Sequence, residues 1–424
     1  MAIHLSEHKE HILSVEDTPL FEALKTKQLR VFKTERGETI YPFLLLVSEA
    51  AITLKAHYYI GVDWLVGEEY VYIAPKMNYR EASVEIDFLK MLLEIYTADI
   101  EEKHTRDLIK IYWKEPQITI EQQKDFLTPF LVVQFLQLLK RITRKGLKKS
   151  YYTVEDNLNS RIKGKIQIGK HLKQNVFKNK LTTHVCRYQE FGMDNLENRF
   201  LKKVLQFVIS FKNTHPTFFA GNEATINELI TYCTPHFELI SEEIDIENLK
   251  KITINPFFKE YEQAIEIGKH ILKRFSYNIT ETTQHKVSIP PFWIDMPKLF
   301  ELYVYKKLQE RFGREAVIYH LTADYTELDF LLNTPKYKMV IDAKYKPIYE
   351  DSRVIDDIRQ VSGYARLEAV YNEFKIEENK LIDCLIIYPS LEENKELNFK
   401  KLDTIKNYAK IYKQGISIPL ITNL

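Results

Sequence analysis

The run from Glu327 to Lys346, ELDFLLNTPKYKMVIDAKYK, admits few folds. In its first half Leu328, Phe330 and Leu332 alternate with Glu327, Asp329 and Leu331. In its second half Val340, Asp342, Lys344 and Lys346 alternate with Met339, Ile341, Ala343 and Tyr345. A period of two marks strands, and the Asn-Thr-Pro-Lys-Tyr run between the halves carries a turn signal. The midpoint of 329 and 342 is 335.5, between Pro335 and Lys336. An antiparallel hairpin centred there sets Asp329 directly opposite Asp342, with Cβ atoms roughly 4.5–5.5 Å apart on one face. A slip of one residue would send one acid to the other face.

Two carboxylates held that close repel, and a divalent cation between them is the simplest remedy. Lys344 follows Asp342 by two positions at the polar edge of the same strand face. There it can orient or activate a water and stabilise charge on a phosphorus under attack. Glu301, on the amphipathic helix Pro297 to Phe312, completes the candidate cation shell. Hard oxygen donors of this kind suit Mg²⁺, or Mn²⁺, and phosphodiester hydrolysis. An Asp-Ala-Lys tripeptide alone recurs by chance; the opposed Asp329 gives it weight.

The elements around the hairpin read in the order αβββαβ. Strands are expected over 316–321, 326–332 and 338–344, then a helix from Ser352 to Tyr371 with Asp351 or Ser352 at its cap, then a buried strand from Leu381 to Tyr388. That order predicts a mixed sheet flanked by helices. The proline pair at 290 and 291 marks a plausible domain boundary, and a chain of 424 residues suits two to four domains. The expected division is a β-rich region over 1–125, a mostly helical and basic region over 126–288, and the mixed-sheet region over 289–424. The fold class is therefore α+β and multidomain. Within the first region, Tyr58 to Ile73 reads as a hairpin about Gly67, and Phe88 to Ala98 as a helix. Within the second, helices are expected over 122–142 and from Asp194 to Lys212, with Asp194 as N-cap.

Charge narrows the partners. Lys and Arg number 60 against 59 acids, a net charge of +1, so any nucleic-acid contact rests on local patches. One such patch runs from Arg141 to Lys180 and holds Arg161, Lys163 and Lys165 among Tyr151, Tyr152 and Phe177. With Gly164 permitting close backbone approach, it fits contact with phosphates; the same surface also suits the acidic parts of a protein partner. Residues 223–248 are acidic by contrast. Cys186, Cys233 and Cys384 are isolated, which excludes a disulfide scaffold and a CxxC metal site. The N-terminus has no apolar core of the signal-peptide kind, and no early run is long enough to span a bilayer. The expectation is a soluble, cytoplasmic protein with no membrane partner. His4, His8 and His11 would share a face in a helix and bind a transition metal there, but a flexible tail is the favoured reading. The segment Gly164 to His171 nearly matches a phosphate-binding loop and fails at His171, where a hydroxyl is needed. Its interior alternates like a strand.

Asp329, the Asp342-Ala-Lys344 run and a preceding helix bearing Phe300-Glu301 together resemble the PD-(D/E)xK nuclease superfamily. Gln360-Val-Ser-Gly-Tyr364 on the following helix is similar to the QxxxY element of its RecB-like branch. Leu328 stands where that pattern often has proline. Further segments are similar to McrC-type proteins, the nuclease subunits of McrBC modification-dependent restriction systems. They are Tyr59-Ile-Gly61-Val, Ile73-Ala-Pro75-Lys76, Asn159 to Ile166, Cys186 to Glu190 and Asp194 to Arg199. The resemblance implies catalytic roles for Asp329, Asp342, Lys344 and Gln360, with Mg²⁺ (or Mn²⁺) held by Asp329, Asp342 and Glu301. It implies DNA contacts at Arg161, Lys163, Lys165, Lys346 and Tyr364. The implied partners are double-stranded DNA with modified cytosine and a hexamer of an McrB-type AAA+ GTPase, whose hydrolysis the subunit stimulates. Two alternatives stay open: a stand-alone nuclease of DNA repair or transposition, and a non-catalytic adaptor built on a nuclease fold.

Overall fold

The structure, a computed structural model, describes the chain except residues 1, 8, 15–17, 34–38, 49–50, 80–81, 98–99, 101, 106–107, 122–124, 126, 220–221, 245–257, 279–285, 324–325, 347–350, 378, 393–394 and 421–424. The chain forms two compact units, residues 1–122 together with 286–424, and residues 123–285. The segments on either side of the second unit, read from the sequence as separate regions, fold together.

In the first unit, strand β1 (Ala2–Ser6) is the edge of a five-stranded sheet and pairs in parallel with β3 (Tyr70–Ala74). Ile3 and Leu5 anchor β1 in the core, so this segment is not a flexible tail. His4 and His11 both sit on strands, and no helical histidine face forms from them; His8 lies outside the described residues. β2 (Tyr59–Trp64) and β3 make the expected hairpin, with Gly67 at φ +60° in its turn. The sheet continues from β2 through Phe292–Asp295 (β5) to Ile109–Ile111 (β4). Phe292, Trp293 and Ile294 are buried, and this apolar run enters the sheet where the proline pair before it had marked a boundary. Close approach explains Gly61: its φ is +149°, and a Cβ there would stand 2.0 Å from the Phe292 carbonyl oxygen.

The second unit is only partly helical. Leu127–Lys145 packs against Glu223–Cys233 and Lys259–Asn278, with Phe130 and Phe135 among its buried side chains. Beside these helices stands an antiparallel pair of ten-residue strands, Ser150–Asn159 and Thr183–Gly192, joined by the short strand Lys165–Ile166. The basic stretch, Arg141 to Lys180, runs from the end of the helix Leu127–Lys145 through the first long strand and most of the connection to the second. The helix expected from Asp194 runs over Leu196–Thr214, and its cap is Asn195, which accepts from the Asn198 amide at 3.0 Å. Asp194 instead chelates the Arg199 guanidinium at 2.9 and 2.6 Å. At Gly164, φ is +66° and a Cβ would lie 2.4 Å from the Arg187 carbonyl oxygen. The close approach it permits is therefore to the chain's own backbone. The near-match to a phosphate loop folds as a strand followed by the helix Ile168–Gln174.

The C-terminal part of the first unit builds the mixed sheet. Helix α1 (Met296–Phe312) begins at Asp295, which accepts from the Lys298 amide at 3.0 Å, with Pro297 in the first turn and Gly313 at its end. Then come β6 (Val317–Ala323), β7 (Thr326–Asn333), β8 (Lys338–Ala343), α2 (Asp351–Tyr364), β9 (Asp383–Ser390), β10 (Asp403–Thr404) and β11 (Ile411–Ser417). The six strands lie in the order β6-β7-β8-β9-β11-β10. The first three form an antiparallel meander; β8, β9 and β11 run parallel. The long helix expected to Tyr371 is two helices, α2 and Glu368–Phe374. Ser352 lies inside α2 and is not its cap; the side chain of Asp351 lies outside the described residues. Leu331 is buried along with Leu328 and joins Val340, Val361 and Ile386 in the core, because both faces of β7 are covered at that depth. Among the described residues no helix is long and apolar enough to cross a membrane.

Candidate functional site

The hairpin closes where the arithmetic put it. Phe330 pairs with Ile341, Leu331 with Val340 and Asn333 with Lys338, a register whose next rung sets Asp329 against Asp342. Across Pro335 and Lys336, the Tyr337 amide donates to Thr334 Oγ1 at 2.8 Å and the Thr334 amide donates to the Tyr337 carbonyl at 2.8 Å. At the acids the ladder stops. The Asp329 side chain takes the Ala343 amide at 2.8 Å, while the Lys344 amide donates to Ile387 of β9. On the other side of β7 the rung opposite Asp329 is missing as well. Pairing with β6 skips from Tyr319–Phe330 to Leu321–Leu328, and His320, the residue passed over, has φ +55°. The sheet therefore opens on both sides of Asp329.

Asp342 is wholly buried and Asp329 half-buried. Burial pushes the Asp329 pKa well above the usual carboxylate range, and the charges of Asp342 and then Glu301 raise it further. Burial raises Asp342 too, against the pull of Lys344. Lys344 Nζ donates to Asp342 Oδ1 at 3.1 Å and lies 2.8 Å from Oδ2. Burial alone would lower the Lys344 pKa, but the charges of Asp342 and Asp329 outweigh it and raise the value. Lys344 is thus a fixed cation paired with the buried Asp342, on the strand face where the sequence places it.

The other expected residues divide. Lys346 Nζ is held by Asp357 at 2.7 and 2.9 Å, and Asp357 is itself buried on α2. One turn on, the exposed Gln360 donates to the Tyr364 hydroxyl at 2.5 Å. Glu301 adds its charge to both aspartates, and its Oε1 lies 2.5 Å from His320 Nε2. His320 and Asp357 are the site residues that sequence reasoning missed. Asp357 precedes Gln360 by three positions on one helical face. His320 falls opposite Asp329 only if a second hairpin is centred between positions 324 and 325.

The donor set fits a small divalent cation. Asp342 Oδ2 is buried and has only the Lys344 ammonium, 2.8 Å away, to compensate it, beside a second carboxylate that burial and repulsion destabilise. Among the described residues no three Asp, Glu, His or Cys side chains already converge on one point. Mg²⁺ is commonly held by one or two carboxylates, with water and substrate phosphate supplying the rest. A cavity of about 600 Å³ lined by Lys90, Glu94, Tyr303, Arg311 and Lys395 shares no residue with this acid row.

Arg161, Lys163 and Lys165 belong to the second unit and are exposed. Lys163 Nζ lies 2.7 Å from Glu190 and 4.0 Å from the centre of the Tyr188 ring.

The family model described as "McrBC 5-methylcytosine restriction system component" matches residues 54–389. Two solved structures are similar. One is a half-complex from a tetradecameric assembly of Thermococcus gammatolerans McrB AAA+ hexamers with bound McrC, at 16% identity over 98% of this chain and 94% of that one, with a TM-score of 0.41. The other is the Thermococcus gammatolerans McrBC complex, at 15% identity over 74% and 89%, with a TM-score of 0.29. No curated protein sequence matches the chain.

Proposed function

This chain belongs to the McrBC 5-methylcytosine restriction system component family, and we propose that it is the subunit that cuts DNA, a Mg²⁺-dependent endonuclease. The observation that carries this reading is the buried Asp342 on the rung just beyond the last β7–β8 pair, with Asp329 bonded to the next amide, that of Ala343, and Lys344 as the counter-charge of Asp342. An adaptor that had lost its chemistry would have no reason to keep the buried Asp342 beside a second carboxylate, with a lysine to compensate it.

Asp329 and Asp342 would hold the cation, with Glu301 alongside. When bound, the cation supplies positive charge to the phosphate and lowers the pKa of water. Hydrolysis forms a bond from water oxygen to phosphorus and breaks the bond from phosphorus to a sugar oxygen; the water gives up a proton, the departing sugar oxygen takes one from solvent, and charge builds meanwhile on the remaining phosphoryl oxygens. Lys344, kept protonated by the acids, stabilises that charge and does not serve as a base. Gln360 and Tyr364, bonded to each other on α2, would orient the strand being cut. Asp357 holds Lys346 beside them.

The family is named for a system, and an ungated nuclease would damage its own genome. We propose that cutting requires an AAA+ GTPase partner, an McrB-type hexamer, which this chain stimulates, and DNA carrying modified cytosine. The one stretch with near phosphate-loop spacing, Gly164 to His171, is folded as strand and helix, in keeping with nucleotide binding by the partner. A plasmid assay tests this with Mg²⁺, with and without partner and GTP, on methylated and unmethylated DNA. Strong cutting is expected only with partner, GTP and methylation together. Efficient cutting of unmodified plasmid by this chain alone would favour a stand-alone nuclease.

A further inference from the structure

His320 occupies a peculiar position. It stands opposite Asp329 in the register of β6 and β7, at the one rung that is missing, with a left-handed backbone at φ +55°. Side chains disfavour that conformation, and when it persists inside a strand the surroundings must enforce it. Three contacts fix the ring. Nε2 lies 2.5 Å from Glu301 Oε1, Nδ1 lies 2.8 Å from Glu327 Oε1, and the ring stacks on Tyr319 with centroids 3.8 Å apart and planes at 19°.

Glu301 has a reason to need holding. Its charge acts on both Asp329 and Asp342, so in the absence of a cation all three carboxylates repel. A glutamate on a helix has three rotatable bonds by which to swing away. A donor on one carboxylate oxygen restrains that swing, which is how residues behind a metal ligand preorganise it. We propose that His320 is a positioning residue: it fixes Glu301 beside Asp329 and Asp342 for divalent-cation binding, with Glu327 bracing the ring from the far side. This rests on the cation reading above and assigns it a residue that reading does not use. The strained backbone follows from it, because a regular strand at residue 320 would not carry the ring between two carboxylates on different elements.

The test is Mn²⁺ titration calorimetry on the full chain, with a thermal melt of each variant. His320→Asn keeps a residue that tolerates left-handed backbone but is too short to reach Glu301. It is expected to weaken Mn²⁺ binding about 10- to 100-fold, the range found when residues behind metal ligands are removed. Glu301→Gln should weaken it to a similar extent. The double variant should bind no more weakly than Glu301→Gln alone, because a residue that acts through Glu301 has nothing left to act on. Should His320→Asn melt as an unfolded chain, Glu327→Ala provides the second arm: a smaller loss, absent in the Glu301→Gln background. Wild-type affinity in the folded His320 variant, or losses that multiply in the double variant, would overturn the positioning role. Asp342→Asn separates the two ideas. Undiminished Mn²⁺ binding there defeats the cation reading itself, whereas its loss with His320→Asn unaffected defeats only this inference.

Discussion

Lys344 Nζ lies 2.8 Å from Oδ2 of Asp342, whose side chain has no exposed surface. A lysine at a solvated strand edge would add little to stability; a lysine that compensates a buried carboxylate does more. Lys344→Ala leaves Asp342 without its charge partner, at an expected cost of about 1–3 kcal/mol, together with loss of cleavage. Adding Asp342→Asn to Lys344→Ala should restore the melting temperature but not the cutting. Thermal melts of the single and double variants check this. An unchanged melting temperature for Lys344→Ala would mean the ion pair contributes nothing to folding.

The acid pair carries the opposite sign. Burial and then the neighbouring Asp342 charge push Asp329 toward its neutral form. Asparagine keeps the shape and can still accept from the Ala343 amide. Asp329→Asn should therefore stabilise the metal-free protein by about 1 kcal/mol, roughly 2–4 °C for a unit of this size, while abolishing Mn²⁺ binding and cleavage. A site that gains stability when its chemistry is removed is one built against the fold's own preference. A lower melting temperature would show that repulsion is not the dominant cost.

Much of this site was legible because β-strand geometry has a fixed period. Asp329, Asp342 and the turn at Pro335 and Lys336 follow from counting, because a slip of one residue would send one acid to the other face. What counting could not supply was depth. Alternation read Leu331 as lying with the acids, yet it is buried against Val361 of α2, while Phe330 on the other face stacks on Tyr305 of α1. The same blindness hid how far Lys344 compensates a buried acid and let the proline pair stand for a boundary, although Phe292 to Ile294 cross into the N-terminal sheet. His320 was hidden for another reason: its role depends on a left-handed backbone that no local pattern announces. Asp194 misled through residue type, since an aspartate and an asparagine in succession are both good caps and only the Arg199 contact separates them.

A buried acid links the N-terminal segment to the strand end. Glu7 accepts a hydrogen bond from the Tyr345 hydroxyl at 3.0 Å, and burial pushes its pKa up to about 8, opposed in part by that bond. A carboxyl whose folded pKa lies above its unfolded value near 4.5 binds its proton more tightly when folded. Its contribution to stability is full below about 4.5 and is lost as pH rises through about 8. Glu7→Gln cannot titrate, so its melting temperature relative to wild type should climb between those limits. Melts in a buffer series check the sign. A difference independent of pH would mean that Glu7 is charged in the fold.

Salt dependence separates the basic residues of the second unit. Lys163 is exposed, yet Glu190 stands 2.7 Å from its ammonium and the Tyr188 ring lies beneath it. Arg161 and Lys165 have no acidic partner among the described residues. Each phosphate neutralised by a protein cation releases condensed counterions, so losing one contact lowers the slope of log affinity against log salt by roughly 0.9 on duplex DNA. Lys165→Ala and Arg161→Ala should each show about that change. Lys163→Ala should show less, because part of its charge is already spent on Glu190. Glu190→Gln should then steepen the slope and tighten binding by freeing Lys163. Fluorescence anisotropy with a labelled duplex between about 50 and 200 mM salt reads all four variants. Equal slopes for Lys163→Ala and Lys165→Ala would show that Glu190 releases its lysine at no cost, and slopes unchanged throughout would remove this hairpin from the DNA-binding surface.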